Sequence, residues 1–164
     1  MANVSKINGF RPVKHVNGSP YNGQANIYFV PSSDSTALFV GDVVKLAANG
    51  NSDGYPQVTA ATAGTAGTGA AAVGVVVGVV NTKLDPVTGK MTAGSIALDT
   101  PQYRPASTAQ YVLVADATDV IYEVEATNGG SSYSFAATDI GQNANLYAGS
   151  GSTTTGNSGF SLDC

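Results

Sequence analysis

Apolar and polar positions alternate along much of this chain with the two-residue period of β-strands. The clearest example is AQYVLVADATDVIYEVEAT (109–127), in which two alternating runs follow each other closely, and this pattern predicts a β-hairpin. Glu123 and Glu125 then share one face of the second strand. We expect that face to contact either solvent or a partner molecule.

Turn residues separate several further apolar runs, and each run predicts a strand. The runs are QANIYFVP (24–31), TALFVGDVVKLAA (36–48), YPQVTAA (55–61), AAAVGVVVGVVNTK (70–83), MTAGSIALDT (91–100) and a short final strand around GFSLD (159–163), with turns predicted at NGNSDG (49–54) and LDPVTGK (84–90). Gly41 predicts a bulge in the run at 36–48. The long run at 70–83 predicts a central strand, in which Gly74 and Gly78 permit bends or close packing.

No amphipathic helical pattern longer than about ten residues occurs, which argues against an α-rich or α/β fold. One helical turn is predicted in AATDIGQNANL (136–146), with Thr138 or Asp139 as its N-cap. Strands that recur about every 8 to 15 residues are typical of β-sandwiches and β-barrels. We therefore expect an all-β fold, a compact β-barrel or a jelly-roll-like β-sandwich formed by residues 25–164, with an extended N-terminal arm over residues 1–24.

Charge is scarce and unevenly distributed in this chain. Charged residues make up 11% of the 164 positions, against roughly 25% in a typical globular domain; such a surface suits a protein covered by other protein, or a β scaffold with many tight turns. Of seven basic residues, Lys6, Arg11 and Lys14 lie at the start, and none follows Arg104. The basic and acidic parts can attract each other within one chain, between subunits or across a host surface. The basic segment FRPVKHVNGSPYNGQ (10–24) is too broken for a helix and too polar for a core strand.

The single cysteine, Cys164, permits neither an intramolecular disulfide nor a thiolate metal site, which is consistent with a reducing compartment. The N-terminal segment also lacks the apolar region of a signal peptide. Residues 60–80 carry no charge, and GVVVG (74–78) matches a membrane-helix dimer pattern. Because valine is β-branched and five glycines interrupt the stretch, a buried strand is favoured over a membrane helix.

The sequence contains few residues arranged for catalysis. His15 is the only histidine, and it is either a general base or a polar residue of a docking arm; the arm offers no rigid support, so docking is favoured. AGTAGTG (63–69) does not suit a phosphate loop, because it precedes a strand and no Lys-Ser/Thr follows. Glu123 and Glu125 could serve glycoside hydrolysis or calcium binding. The chain has no tryptophan for stacking on sugars, however, so a solvated or interface face is favoured.

Nucleic-acid binding has little support either, because the seven basic residues are spread along an acidic chain. The arm is the only candidate basic patch, and it contains few aromatic residues for stacking. We therefore expect no enzymatic activity, no cofactor, no metal site, no membrane segment and no direct contact with nucleic acid.

Several segments resemble, in order over most of the chain, the small decoration or cement proteins of tailed-bacteriophage heads. These segments are GFRPVKHVNGSPYNGQ (9–24), VGDVVKLA (40–47), GVVVGVV (74–80), YVLVADATDVIYEVEA (111–126) and ATDIGQNANL (137–146). The arm, the 111–126 segment and ATDIGQNANL are the most specific of them. Two departures stand out: members of that family continue beyond GFSLD, and residues 60–72 are expanded.

The resemblance implies a virion structural protein that binds the outer surface of the shell formed by the major capsid protein and stabilises it. It implies synthesis in the bacterial host cytoplasm, assembly as a homotrimer, and no catalytic residues. The arm contacts that we predict are Arg11, Lys14, His15, Tyr21 and Asn22, and the predicted intersubunit or shell-facing residues are Tyr122, Glu123 and Glu125. The alternatives are a head–tail connector or tail component, and a host-binding or glycan-binding β domain on the particle.

Overall fold

The computed structural model describes residues 7–62, 71–80, 82–84, 91–96 and 100–164, with the backbone alone for 82–84 and 91–96. The chain is all-β, 2% helical and 43% strand, as predicted. The strands are β1 (Arg11–His15), β2 (Asn26–Val30), β3 (Val43–Gly50), β4 (Pro56–Ala60), β5 (Ala72–Val79), β6 (Thr82–Leu84), β7 (Met91–Ile96), β8 (Gln110–Ala115), β9 (Val120–Glu123), β10 (Ala126–Asn128), β11 (Ser131–Ser132), β12 (Asn145–Tyr147) and β13 (Ser161–Asp163). The glycine-rich stretch 63–69, which does not suit a phosphate loop, and most of the predicted turn at 84–90 lie outside the described residues.

Five strands close into a barrel in the order β2-β4-β3-β5-β8, which confirms the barrel of the two predicted architectures. Successive side chains point to opposite faces of a strand, so every second residue enters the interior. The buried interior is formed mainly by valine and consists of Tyr28, Val30, Leu38, Val44, Val58, Val76, Val112 and Val114. Burial of each such side chain contributes about 1.5–3 kcal/mol, and the alternation of valines therefore determines which face turns inward.

The predicted β-hairpin at 109–127 is wrong. Both runs do form strands, β8 and β9, but the two strands do not pair with each other. β8 pairs along one edge with β2 and along the other with β5, so neither of its edges is free for β9. β9 pairs instead with β1 in a separate two-stranded sheet.

The predicted strand at 36–48 begins later than expected, at Val43. Before it, Leu38 and Val40 form isolated bridges, and Gly41 lies in a turn with φ of +99° rather than in a bulge within a strand. Gly41 is required there for two reasons, the left-handed φ and the crowding of its surroundings. A Cβ on Gly41 would lie 2.8 Å from the carbonyl oxygen of Asn8.

The apolar run at 70–83 supplies β5, which is hydrogen-bonded on both edges, to β3 and to β8, as expected of a central strand. Each of the two glycines of β5 lies next to a shift in the pairing register. Gly74 lies opposite Val44, where the pairing with β3 shifts between Val44 and Lys45. Gly78 ends the shift between Val76 and Gly78 in the pairing with β8. A Cβ on Gly74 would overlap the carbonyl oxygen of Ala115. The predicted close packing at Gly74 is therefore confirmed.

A four-stranded sheet, ordered β11-β10-β13-β12, packs against the outside of the barrel. Val43 and Val75 point outward from the barrel and are covered by Phe160, which precedes β13. Phe10, Tyr122 and Leu146 complete this second apolar cluster, although they are only partly buried: they come from the N-terminal segment, β9 and β12. The predicted final strand is confirmed as β13.

The single predicted helical turn is present as a 3-10 helix, Ala137–Asp139, but its N-cap is Ala136 rather than Thr138 or Asp139. Asp139 stabilises this turn from its third position, where its Oδ2 accepts a hydrogen bond from the Ala136 N–H at 2.8 Å. This arrangement is favourable because a carboxylate at the third position can accept a hydrogen bond from the backbone N–H of the N-cap residue, which has no partner within the helix.

Candidate partner-binding surface

Five of the eight predicted contact residues lie on one two-stranded ribbon formed by β1 and β9: Arg11, Lys14, His15, Tyr122 and Glu123. In its antiparallel register Arg11 lies opposite Glu123, Pro12 opposite Tyr122 and His15 opposite Val120. Strand β1 takes up part of the predicted arm, so the described part of that arm contacts its own chain, and the extended arm is not confirmed. Of the three ways in which the basic and acidic parts could meet, the structure shows the contact within one chain.

A register shift between Pro12 and Lys14 leaves Val13 as an extra residue in β1. Such a bulge sets two residues of one strand, here Val13 and Lys14, against a single residue of the other, Ile121. Val13 is 45% exposed, Ile121 is 39% exposed and Lys14 is exposed as well. Val16, which follows β1, is 71% exposed. We call these four residues, Val13, Lys14, Val16 and Ile121, the ribbon patch.

His15 contributes to the structure of the ribbon. Its Nδ1 lies 3.1 Å from Asp119 Oδ2, its side chain is 12% exposed, and its ring lies 6.1 Å from that of Tyr21. A carboxylate next to an imidazole is also the supporting half of a catalytic triad. Within the described residues, however, no Ser, Thr or Cys side chain is hydrogen-bonded to the His15 ring, so this half has no nucleophile beside it.

Tyr21 and Asn22 lie in the segment that turns back along β1. The Tyr21 N–H donates to the Val13 carbonyl at 3.0 Å, and the Tyr21 hydroxyl donates to the Gln24 carbonyl at 2.7 Å. The side-chain oxygen of Asn22 accepts the Gln24 N–H at 3.0 Å. Both side chains therefore hold the local backbone, while Asn22 also remains exposed.

Tyr122 faces the barrel from the ribbon. Its hydroxyl donates to the carbonyl oxygen of Ala115 at 2.9 Å, and its ring meets Phe10 edge-on at 6.4 Å. Burial, with smaller contributions from Tyr21 and Asp116, raises the pKa of Tyr122 to about 12. The structure thus places this predicted contact residue inside the packing between ribbon and barrel.

The two predicted carboxylates lie where β9 ends. Glu123 is the last residue of β9 and is exposed, whereas Glu125 lies in the break before β10, so strand alternation no longer relates their side chains. Both line a small cavity of about 240 Å³ together with Arg11. The backbone oxygen of Glu125 accepts a hydrogen bond from the Leu162 N–H, which joins this segment to β13.

Arg11 and Lys14, the two cations of the ribbon, make no close ion pair within the described part of the chain. Neither Arg11 nor Lys14 has an acidic oxygen within 4 Å there, although Arg11 and Glu123 are cross-strand neighbours. Arg11 also lines a larger cavity of about 530 Å³, with Phe10, Pro12, Tyr21 and Val77 among its walls. We call this space the Arg11 cavity.

A second exposed apolar feature lies between β11 and β12. Residues 133–142, which we call the prong, include Phe135 at 64% and Ile140 at 80% exposure. The prong is held by its own contacts: the Tyr133 hydroxyl donates to Asp139 Oδ2 at 2.9 Å, and the rings of Tyr133 and Phe135 pack edge-on at 5.7 Å. Sequence reasoning missed it, and the available signal was two aromatic residues, Tyr133 and Phe135, outside any apolar run.

Two buried charged residues were missed as well. Arg104 is fully buried; burial lowers its pKa, and nearby Asp34 partly opposes that effect. Asp42 is 2% exposed, and burial raises its pKa to about 6, although the Phe39 N–H donates to Asp42 Oδ2 at 2.8 Å and thereby favours the charged form. Both residues support the body of the protein rather than its surface. The apolar run at 36–48 was an available signal for the burial of Asp42, whereas the neighbours of Arg104 gave none.

The described residues contain no group of three or more His, Cys, Asp or Glu side chains placed to hold a metal ion. Over the same ranges, no helix has the length and apolarity needed to cross a membrane. None of three comparisons with known proteins gave a match: the chain matches no known protein family, no curated protein and no solved structure. The candidate site rests on the exposed apolar groups of the ribbon patch and the prong, and on the exposed cations Arg11 and Lys14.

Proposed function

We propose that this protein is a decoration protein of a tailed-bacteriophage head, which binds the outer surface of the major capsid protein shell as a homotrimer and stabilises that shell. The observation that carries the proposal is the ribbon patch, where Val13, Val16 and Ile121 are exposed around Lys14, a cation without an acidic oxygen within 4 Å among the described residues. The ordered sequence resemblance, strongest in residues 9–24, 111–126 and 137–146, indicates which class of partner such a patch meets.

A mixed patch of this kind suits binding to protein. Apolar side chains at the centre of an interface supply most of the favourable free energy, while charges at its rim steer the encounter and fix the orientation. Lys14 lies opposite Ile121 in the paired strands, so the two side chains are neighbours. A partner surface that carries an acidic group next to an apolar depression can therefore contact both side chains at once. The low overall charge of the chain, 11%, agrees with a protein whose faces are covered in use.

Binding of this type stabilises an assembled shell by mass action. A protein that binds only the assembled state contributes RT ln(1 + [L]/Kd), about 2.7 kcal/mol per site at a hundredfold excess over Kd. Because the contribution is repeated at every occupied site, modest affinity is enough to strengthen the shell. The ribbon therefore needs no deep pocket for this task.

The test is co-sedimentation with empty expanded capsids of a bacteriophage whose genome encodes this chain. Replacing Val13 and Ile121 together by serine removes the exposed apolar groups, and we expect at least a tenfold loss of affinity. Leu46→Ser is the matched control, since Leu46 is 54% exposed on β3, away from the ribbon. Point variants are preferred to deletion of the arm, because β1 also pairs with β9 along its length.

Undiminished occupancy by the double serine variant, with both proteins folded, contradicts the proposal. So does a wild-type protein that never binds these capsids. The copy number in purified particles separates the alternatives: occupancy over the whole shell supports a decoration protein, while a single ring of copies supports a connector or tail component.

A further inference from the structure

We propose that the prong of one molecule docks in the Arg11 cavity of a second copy of this chain, with the Phe135 ring entering the cavity and Asp139 facing Arg11. This contact is distinct from the ribbon patch and does not depend on a capsid. It can therefore be tested on the purified protein alone.

The prong is built to present apolar groups to another molecule. Phe135 and Ile140 are largely exposed, although their loop is not loose. Asp139 Oδ2 accepts hydrogen bonds from the Tyr133 hydroxyl and the Ala136 N–H, and the Gln142 N–H donates to the Asp139 carbonyl at 3.2 Å. Because these bonds already fix the loop, little conformational entropy remains to be lost when it binds.

The Arg11 cavity has the size and chemistry to receive an aromatic side chain. Its volume, about 530 Å³, lies within the range of roughly 300–1,000 Å³ typical of ligand pockets. Phe10, Pro12, Tyr21 and Val77 supply apolar walls, and Arg11 adds a cation that has no acidic partner within 4 Å among the described residues. An aromatic ring inserted beside a guanidinium is a favourable arrangement.

The charge distribution indicates a second copy as the occupant. After Arg104 the chain carries acids but no Lys or Arg, so the prong lies in a sequence segment whose charged residues are all acidic. The carboxylate of Asp139 has a lowered pKa, chiefly because the Ala136 N–H donates to it, and it stays charged at neutral pH. One chain thus carries both an acidic aromatic prong and a basic apolar cavity that complement each other.

Since prong and cavity are different surfaces, the contact is head-to-tail. Such contacts either close into rings or continue as filaments, and each molecule uses both surfaces once. A symmetric dimer uses the same patch on both copies, so one substitution changes both sides of the interface. Two different variants of such a dimer would not restore association when they are mixed.

The experiment is sedimentation equilibrium over a range of concentrations, in a Cys164→Ser background that excludes disulfide-linked dimers. We expect wild-type protein to associate reversibly and Phe135→Ser to weaken association at least tenfold. Leu46→Ser, which removes another exposed apolar side chain, should leave association unchanged. Arg11→Gln should weaken association, whereas Lys14→Gln, a neighbouring cation outside the cavity, should not.

A mixing experiment distinguishes the head-to-tail arrangement. Phe135→Ser keeps the cavity, and Val77→Glu keeps the prong but places a carboxylate in the cavity wall. Each variant alone should be monomeric, and an equimolar mixture should form a one-to-one dimer that goes no further. Circular dichroism confirms that every variant is folded.

Three results overturn the proposal: a wild-type protein that stays monomeric at every concentration, a folded Phe135→Ser that associates as tightly as wild type, and a mixture that fails to dimerise. Binding of capsids by a wild type that is monomeric in solution would reject this contact while supporting the capsid binding of the proposed function. Association of the wild type without binding to capsids would support this contact and contradict the proposed function.

Discussion

Leu38 and Arg104 exchange two backbone hydrogen bonds, at 3.0 Å from the Leu38 N–H and 2.8 Å from the Arg104 N–H. This bridge holds the Arg104 side chain inside the protein. There its guanidinium donates to the carbonyl oxygens of Pro31, Asp34 and Thr36 in the connection after β2, and to that of Thr108 before β8. One side chain therefore joins two connections of the barrel.

Arg104→Met should destabilise the protein by about 3–5 kcal/mol, because it removes a fully buried guanidinium and leaves four carbonyl groups without its part-buried hydrogen bonds. Urea unfolding followed by circular dichroism measures the change. Arg11→Met is the matched control at an exposed arginine and should stay within about 0.5 kcal/mol of wild type. Equal effects of the two substitutions would show that the buried hydrogen bonds of Arg104 contribute nothing specific.

Gly74→Ala should cost about 2–3 kcal/mol, because the new methyl group overlaps the Ala115 carbonyl oxygen where β5 meets β8. Gly78→Ala on the same strand is the control: its Cβ would lie 3.6 Å from Leu113 Cδ1, an ordinary contact. Thermal unfolding of both variants gives the comparison. If Gly78→Ala proves the more damaging, the close approach at Gly74 is not what constrains this strand.

Asp42 should make the protein less stable at neutral than at acidic pH. Its pKa is about 6 in the folded protein against 3.8 for an unperturbed aspartate, so the folded state holds the proton more tightly. This stabilisation is fully present below about pH 3.8 and is lost as the pH rises through about 6. The shift corresponds to about 3 kcal/mol.

The measurement compares the free energy of unfolding of wild type and Asp42→Asn between pH 4 and pH 8. Over this range the difference between the two proteins should change by about 2.5 kcal/mol in favour of Asp42→Asn as the pH rises. Asparagine can still accept the Phe39 N–H, which keeps the 2.8 Å hydrogen bond of Asp42 Oδ2. Glu123→Gln is the control for removing an exposed carboxylate. A difference that does not vary with pH would contradict the role of burial.

Tyr122→Phe should cost about 1–2 kcal/mol, because the Ala115 carbonyl loses the hydroxyl that donates to it. Tyr55→Phe is the control, since no described residue is hydrogen-bonded to the Tyr55 hydroxyl; it should change stability by less than about 0.5 kcal/mol. Capsid binding by Tyr122→Phe should remain at the wild-type level. A loss of binding without a loss of stability would instead place Tyr122 in the interface.

The alternation of apolar residues was sufficient to predict most strands, because each strand must turn one face inward wherever it pairs. It could not predict pairing: β8 and β9 both alternate, yet β8 is enclosed between β2 and β5 and leaves β9 to β1. In the sequence, the candidate residues of β1 and those of β9 form two groups more than 100 positions apart, and no local pattern links them. Their meeting on one ribbon depends on that pairing.

The sequence by itself determined the class of fold, since the period of two, the β-branched residues and the turn residues act locally and need no knowledge of the partner strand. Only the tertiary structure decided that a barrel closes, that Arg104 and Asp42 are buried, and that Phe135 is left exposed. Those outcomes depend on which distant segments come together, and local patterns of side chains carry almost no information about that choice.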